Sequence, residues 1–175
     1  LVLALDITER LRAERALERL NRLYELLSRT DELIVRAKDR TTLLDDVCRL
    51  AVEHGGFRVA WVGLVGDDGI AHPVSRAGAA AAVVDEVLEA LASSDGPLLP
   101  EAPVVRNDLG RDPTVAPWHA KAARAGIAAV AHLPLRQAGR VVGALHLHSQ
   151  EVGFFRAAEL ATLEQMAADV SFAFD

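Results

Sequence analysis

An α+β fold is predicted for this chain, built on a central antiparallel sheet of five to six strands. Three observations point to it. Helical patterns stand at both ends, two short strand pairs are joined by glycine-containing turns, and an irregular, proline-rich stretch separates those pairs. The long N- and C-terminal helices are expected on one face of the sheet. Short helices and loops are expected on the other, over a pocket. At 175 residues, 51% of them apolar, the chain can bury one core without a disulfide or metal staple.

The elements follow in order. Asp6 with Glu9 three residues later reads as a capping box, which would start the first helix at Ile7. Asp6–Arg10, Glu18–Arg22, Glu25–Arg29 and Glu32–Arg36 are acid-first pairs four residues apart, the favourable helical orientation. Ala13, Leu17, Leu20, Tyr24, Leu27 and Ile34 keep the alternating four and three spacing of a coiled-coil seam, interrupted only by Asp31. Such a helix, about 30 residues and roughly 45 Å long, either lies on its own core or pairs with its copy in a dimer. The spacing favours pairing, with the helix leaving the body at its N-terminal end. Thr41 or Thr42 is placed to cap a second helix running to Gly55-Gly56. Phe57–Val65 and Ile70–Arg76 read as a hairpin around Gly66-Asp67-Asp68-Gly69. A helix is expected over 79–92, then the breaker SSDGPLLPEAP, a short strand Val104–Arg106, a polar loop Asn107–Pro117 and a short helix from Trp118 to Ala125. Ala128–Leu135 and Val141–Ser149 form a second strand pair, and Phe155–Phe174 a closing helix.

Charge and cysteine usage narrow the function. The net charge of −6 argues against nucleic acid or an anionic membrane as the main partner. That charge is uneven: residues 1–40 hold nine basic and eight acidic side chains, and the rest ten and seventeen. No apolar run reaches the ~18 residues of a membrane span, so a cytoplasmic location is expected. The single cysteine, Cys48, excludes an internal disulfide and a thiolate-rich zinc site. There is no nucleophile elbow, P-loop or glycine-rich fingerprint ahead of a helix, and no catalytic residues are assigned.

The histidines stand apart. His146 and His148 alternate on one strand and share a face, while the face of His132 depends on hairpin register. A two-residue Ala-Gly turn would put His132 opposite Leu145. A three-residue loop would put Leu133, Leu135, Val141, Leu145 and Leu147 on one face, with His132, His146 and His148 on the other. Consistent apolar patterning favours the second arrangement. His72 and Arg76 share a face of their strand and could join the cluster. Hydrogen-bonded histidines on a half-covered sheet face are the plainest reading, and a polar pocket the sharper one. No metal is expected, since no nearby carboxylate is apparent to complete a site.

Residues 5–10, Leu-Asp-Ile-Thr-Glu-Arg, resemble the exit of a PAS domain. The stretches LLDDVCRLAVEHGGFRVAWVGLV, PVVRNDLGRDPTVAPWHAKAARAGIAAVAHLPLRQAGRVVGALHLHS and FRAAELATLEQMAADVSFAFD resemble a bacterial GAF domain. The resemblance divides the chain into a PAS remnant at 1–6, a connecting signalling helix at 7–38, and a GAF domain at 39–175 whose first helix overlaps 22–38. It implies a GAF-like (PAS/profilin-like) fold and a non-catalytic sensory role. The chain would bind a small ligand and signal through a homodimer of its N- and C-terminal helices. The output module implied is a GGDEF diguanylate cyclase, an EAL phosphodiesterase of cyclic di-GMP, or a histidine kinase. It also implies a cavity on the sheet face away from the terminal helices, which makes His132, His146, His148, Trp118, Asn107, Asp108, Arg76, His72 and Trp61 the candidate ligand-binding residues. A cyclic nucleotide is disfavoured because Asn107 is followed by Asp108 and the rest of that pattern is missing. A covalent bilin is disfavoured because Cys48 lies in the apolar phase of a helix. No cofactor is identified. A structural dimerisation spacer without ligand is the rival reading.

Overall fold

The computed structural model describes residues 1–79, 85 and 99–174. Its elements are α1 (Val2–Arg36), α2 (Arg40–Glu53), β1 (Val59–Val65), β2 (Ala71–Ala77), β3 (Val104–Arg106), a 3-10 turn (Pro113–Trp118), α3 (His119–Ala125), β4 (Ala129–Gln137), β5 (Arg140–Ser149) and α4 (Ala157–Phe172). The helix expected over 79–92 and the start of the proline-rich stretch lie outside the described residues, 79 and 85 excepted. Among the described residues the sheet has five strands in the order β2-β1-β5-β4-β3, every pair antiparallel.

The first helix starts at Val2 and not at Ile7, with Leu1 at its cap position and no side-chain cap. Asp6 therefore lies inside the helix; the strong helix formers Leu3, Ala4 and Leu5 carry it back a further turn. Of the expected acid-first pairs Glu25–Arg29 closes at 2.8 Å, whereas Arg10 turns forward to Glu14. The helix carries two stripes. Arg19, Leu23, Leu26 and Thr30 are buried, facing α4 and the core, while the seam residues Leu17 and Tyr24 remain 60% and 55% exposed. So α1 lies on its own body with one stripe; of the heptad seam, Leu27 and Ile34 also pack against that core, while Leu17 and Tyr24 face outward. The second helix is capped by Asp39, not by a threonine: Thr42 N–H and Oγ1–H donate to its two carboxylate oxygens at 2.8 and 2.9 Å.

The main core lies between the sheet and the three longer helices. Leu133, Leu135, Leu145 and Leu147 from β4 and β5 meet Leu44, Val47 and Cys48 of α2, Leu163, Met166 and Val170 of α4, and Leu23 and Leu26 of α1. Two irregularities set which side chains reach the opposite face. The β4–β5 turn is the two-residue Ala138-Gly139, with φ of 48° and 76°, the doubly left-handed geometry that suits strand twist. The three-residue loop expected from patterning does not form. Instead the register shifts between Leu135 and Arg136, leaving Val142 as an extra residue. That bulge supplies the one-residue offset, so His132 pairs with His146 and Leu133 with Leu145. Val142 and not Val141 then packs against the main core. Gly143 follows the bulge because the β1 backbone comes close there: a Cβ would stand 2.4 Å from the Gly63 carbonyl oxygen.

A second bulge lies between β1 and β2. Val62 pairs with Ser75 but Gly63 pairs with Pro73, leaving Val74 over. It separates His72 from Arg76. Arg76 stays opposite Trp61, whereas His72 falls opposite Leu64. The expectation that His72 and Arg76 share a face is therefore corrected, because simple alternation does not survive an inserted residue.

Candidate functional site

On the sheet face away from the long helices, three histidines and a tryptophan form one cluster. Cross-strand pairing puts Trp61 opposite His146 and Val59 opposite His148, with His132 and Val130 on the far side of β5. The Trp61 and His146 rings stack with centroids 3.7 Å apart and planes 7° from parallel. Trp61 Nε1–H donates to His148 Nε2 at 3.1 Å. His132 Nδ1 and His146 Nδ1 face each other at 2.6 Å, so one ring donates and the other accepts. Below them a small apolar cluster closes the face: Val59, Trp61, Val130, Leu109, Ile127, and Ala122 and Ala125 of α3.

All three imidazoles are held neutral at pH 7. Burial pushes the His132 pKa down to about 4, with the Arg106 charge adding to it. Burial pushes His148 down to about 3, aided by His132. Burial also drives His146 well below its ordinary value, aided by both neighbouring histidines. Arg106 itself is engaged: its Nη1 donates to Asp112 Oδ2 and to Thr114 Oγ1, each at 2.6 Å. The Asp112 carboxyl is held down to about 2 by the Thr114 hydroxyl and then by Arg106.

The remaining candidates make no contact within the cluster, although Arg76 shares its face. Asn107 is a clamp between loops. Its Nδ2–H donates to the Phe155 carbonyl and its Oδ1 accepts from Phe155 N–H, both at 2.9 Å. With both ends of its amide occupied, it ties the loop after β3 to the segment entering α4. Asn107→Ala is expected to lower stability by about 2 kcal/mol, read as a drop in the urea midpoint. Asp108 terminates the same loop, its carbonyl accepting from Arg111 and Asp112 N–H. Trp118 is half-buried at the end of the 3-10 turn, with Lys121 Nζ 5.5 Å from its ring, and is absent from the apolar cluster beneath the histidines. Arg76 lies on the cluster's face at the β2 edge and pairs with Asp85 at 2.7 Å. His72 bonds Asp68 of the adjoining turn at 2.8 Å, half exposed and outside the cluster.

Gly63 was missing from the sequence reading. It puts no side chain over the stacked pair, and a Cβ there would meet Trp61 Cζ3 at 3.2 Å and His146 Nε2 at 3.8 Å. The pleat period would have flagged it, two residues from Trp61. Arg19 was also missed. Its buried stripe, three and four residues apart with Leu23 and Leu26, was readable beside the heptad seam.

Cys48 is fully buried on the opposite side of the sheet, and burial pushes its thiol up to about 12. In the folded protein at pH 8 it is expected to resist an aromatic disulfide reagent, reacting stoichiometrically only after unfolding. Among the described residues no group of three or more His, Cys, Asp or Glu is placed to hold a metal ion. No helix among them is long and apolar enough to cross a membrane.

A five-stranded antiparallel sheet among the described residues, with long helices on one face and a packed polar cluster on the other, defines a small α+β domain. The family model for the GAF domain matches residues 37–175, and the chain belongs to that family. No curated protein matches the sequence at a significant level. Solved structures share the fold. The free methionine-R-sulfoxide reductase from Neisseria meningitidis is 16% identical, with 87% of each chain covered and a TM-score of 0.65. The GAF domain of a protein described as a sensor histidine kinase from Pseudomonas syringae pv. tomato is 16% identical, covering 94% of this chain and 89% of that one, with a TM-score of 0.57. The GAF domain of a phosphoenolpyruvate-protein phosphotransferase from Coxiella burnetii is 14% identical over 87% and 92%, with a TM-score of 0.61.

Proposed function

We propose that the chain is a non-catalytic sensory GAF domain of a bacterial cytoplasmic signalling protein. It binds a small ligand at the Trp61–His132–His146–His148 face and passes the signal through paired helices to an output module. That module is a diguanylate cyclase or phosphodiesterase of cyclic di-GMP, or a histidine kinase. One observation carries the reading: β5 links the polar cluster to the connecting helix. His146 and His148 stand on β5, and Glu151, just past its end, pairs with the buried Arg19 of α1. A shift of β5 therefore acts on α1 through a charged contact. The outward stripe of Leu17 and Tyr24, with 78% exposed Phe172 at the end of α4, is the surface for a second copy in a parallel dimer. For switching, the ligand must bind the two helix arrangements with different affinity.

The apolar packing of Val59, Leu109, Ile127 and Val130 under the histidines favours a second reading, a dimerisation spacer whose face is filled by its own side chains. Native mass spectrometry of freshly purified protein separates the two, since it reports oligomeric state and retained ligand together. A dimer carrying a retained small mass is the expected result. A ligand-free dimer that no metabolite stabilises supports the spacer. A ligand-free monomer with the same silence overturns both. Catalysis of the methionine-sulfoxide reductase kind fits poorly, because it needs a reactive thiol and Cys48 is buried with a raised pKa.

A further inference from the structure

The histidine cluster specifies what kind of molecule it can accept, if the sheet face is the ligand site proposed above. Trp61 Nε1 is a donor only, so His148 Nε2, 3.1 Å away, must be the unprotonated nitrogen. Neutral His148 then carries its proton on Nδ1. That Nδ1 is buried and has no hydrogen-bond partner in the protein. A buried N–H without an acceptor is rare in native structures and points to an atom from outside the chain. The cluster thus presents a donor that needs an acceptor.

The rest of the site argues about charge. None of the three imidazoles carries a positive charge at neutral pH, since burial holds each in its neutral form. Of the guanidiniums on this side, Arg106 pairs with Asp112 and Arg76 with Asp85, while Arg58 is turned to the Ala125 carbonyl. An anion placed here would lose its hydration without gaining a counter-charge, or would have to bring a proton with it. A free metal ion fits no better. His132 Nδ1 and His146 Nδ1 stand 2.6 Å apart, a separation for one shared proton. Two nitrogens each about 2.0–2.1 Å from a tetrahedral ion would lie more than about 3 Å apart. The walls that remain are apolar and buried: the stacked Trp61–His146 pair, to which Gly63 adds no side chain, beside Val59 and Val130.

We propose that this site takes an uncharged, flat ligand that offers a carbonyl or ring-nitrogen acceptor to His148 Nδ1–H, and that it rejects phosphates, carboxylates and free metal ions. Recognition is by one buried hydrogen bond and by stacking, and not by ion pairing.

The test follows histidine ring nitrogens by NMR in the full chain, labelled with 15N, as matched probes are titrated at pH 7.5. Nicotinamide, benzamide and 2-pyridone are the neutral probes; nicotinate, benzoate, inorganic phosphate and zinc ions are the charged ones. The neutral probes are expected to move the His148 ring resonances and saturate, with each carboxylate binding at least tenfold more weakly than its amide. Phosphate and zinc are expected to leave those resonances in place. Gly63→Ala, which sets a methyl against Trp61 and His146, is expected to weaken the neutral probes at least tenfold while keeping a dispersed, folded spectrum. Should it unfold, Trp61→Phe keeps an aromatic ring and removes the bond that fixes the His148 tautomer, and the amide-over-carboxylate preference should shrink. Any ligand retained from the native preparation should be uncharged at pH 7 by electrophoresis.

Binding of the carboxylates, phosphate or zinc in preference to the amides overturns this inference and leaves the sensory reading standing. Silence of the His148 resonances toward every probe, while a retained ligand is present, also overturns the inference alone, placing the ligand elsewhere. Silence toward every probe with no retained ligand overturns both, the His148 proton then being satisfied by water only.

Discussion

Truncation of Arg19 to alanine is expected to cost the folded domain about 3–5 kcal/mol, a large share of the roughly 5–15 kcal/mol that holds a domain together. Arg19, on α1, is only 4% exposed. Its Nε lies 3.2 Å from Glu159 Oε1, its Nη1 pairs with Glu151, and its guanidinium stands 5.8 Å from the centre of the Phe154 ring. Glu159 is equally buried, so removing Arg19 leaves a carboxylate in a dry site without its partner. The size of the effect comes from that orphaned charge more than from lost attraction. Arg19→Met alone should therefore be nearly as harmful, while Arg19→Met with Glu159→Met should recover most of the loss. Urea unfolding of the three variants checks this. A loss under about 1 kcal/mol in Arg19→Ala would show that the pair is solvated and free to rearrange.

The second large effect is acid lability that begins well above the carboxylate range. In the unfolded chain His132, His146 and His148 titrate near 6.5; in the folded chain burial pushes His132 down to about 4 and His148 down to about 3, and depresses His146 strongly. Between those limits the unfolded state binds more protons than the native one, so stability rises with pH and is lost on acidification. The loss starts as pH falls through 6.5 and levels off only below the folded values. His132 alone accounts for about 3 kcal/mol across its window. The lowered carboxyl of Asp112 acts from its ordinary value of 3.8 down to about 2, overlapping only the acid end of the histidine range, so the loss between pH 6.5 and 4.5 belongs to the imidazoles. Unfolding free energies from urea titrations at pH 7.5, 6.5, 5.5 and 4.5 should fall steadily. His132→Gln should flatten part of that slope, because glutamine does not titrate. A level profile from pH 7.5 to 5 would mean that the imidazoles are protonated or solvated in the folded protein.

Much of this arrangement is legible along the chain. Alternation separates Leu133, Leu135, Leu145 and Leu147 from His132, His146 and His148, and those two sets do occupy opposite faces. The route to that result was not legible. Patterning called for a three-residue loop, whereas the protein uses a tight Ala138-Gly139 turn and shifts the register at Val142. A bulge has no signature in hydrophobic period; it arises where backbones must approach, as Gly143 does against Gly63. The same cause removed His72 from the cluster. Asn107 was noticed as a distinctive residue, but its task is to hold Phe155, 48 positions away, and nothing local reveals that partner.

The sequence by itself determined the class of fold, the acidic body, the lone unreactive cysteine and the two faces of the sheet. These follow from composition and from periods of two and 3.6 residues, which each segment carries locally. Tertiary structure alone decided which stripe of the first helix is buried, which histidines meet, and which nitrogen of His148 is left to donate. Those outcomes depend on contacts between distant segments, such as Arg19 with Glu159, 140 residues apart, and Trp61 with His148, 87 apart. In each case a buried polar group must find its partner in the packed interior, and the packing sets which partner is in reach.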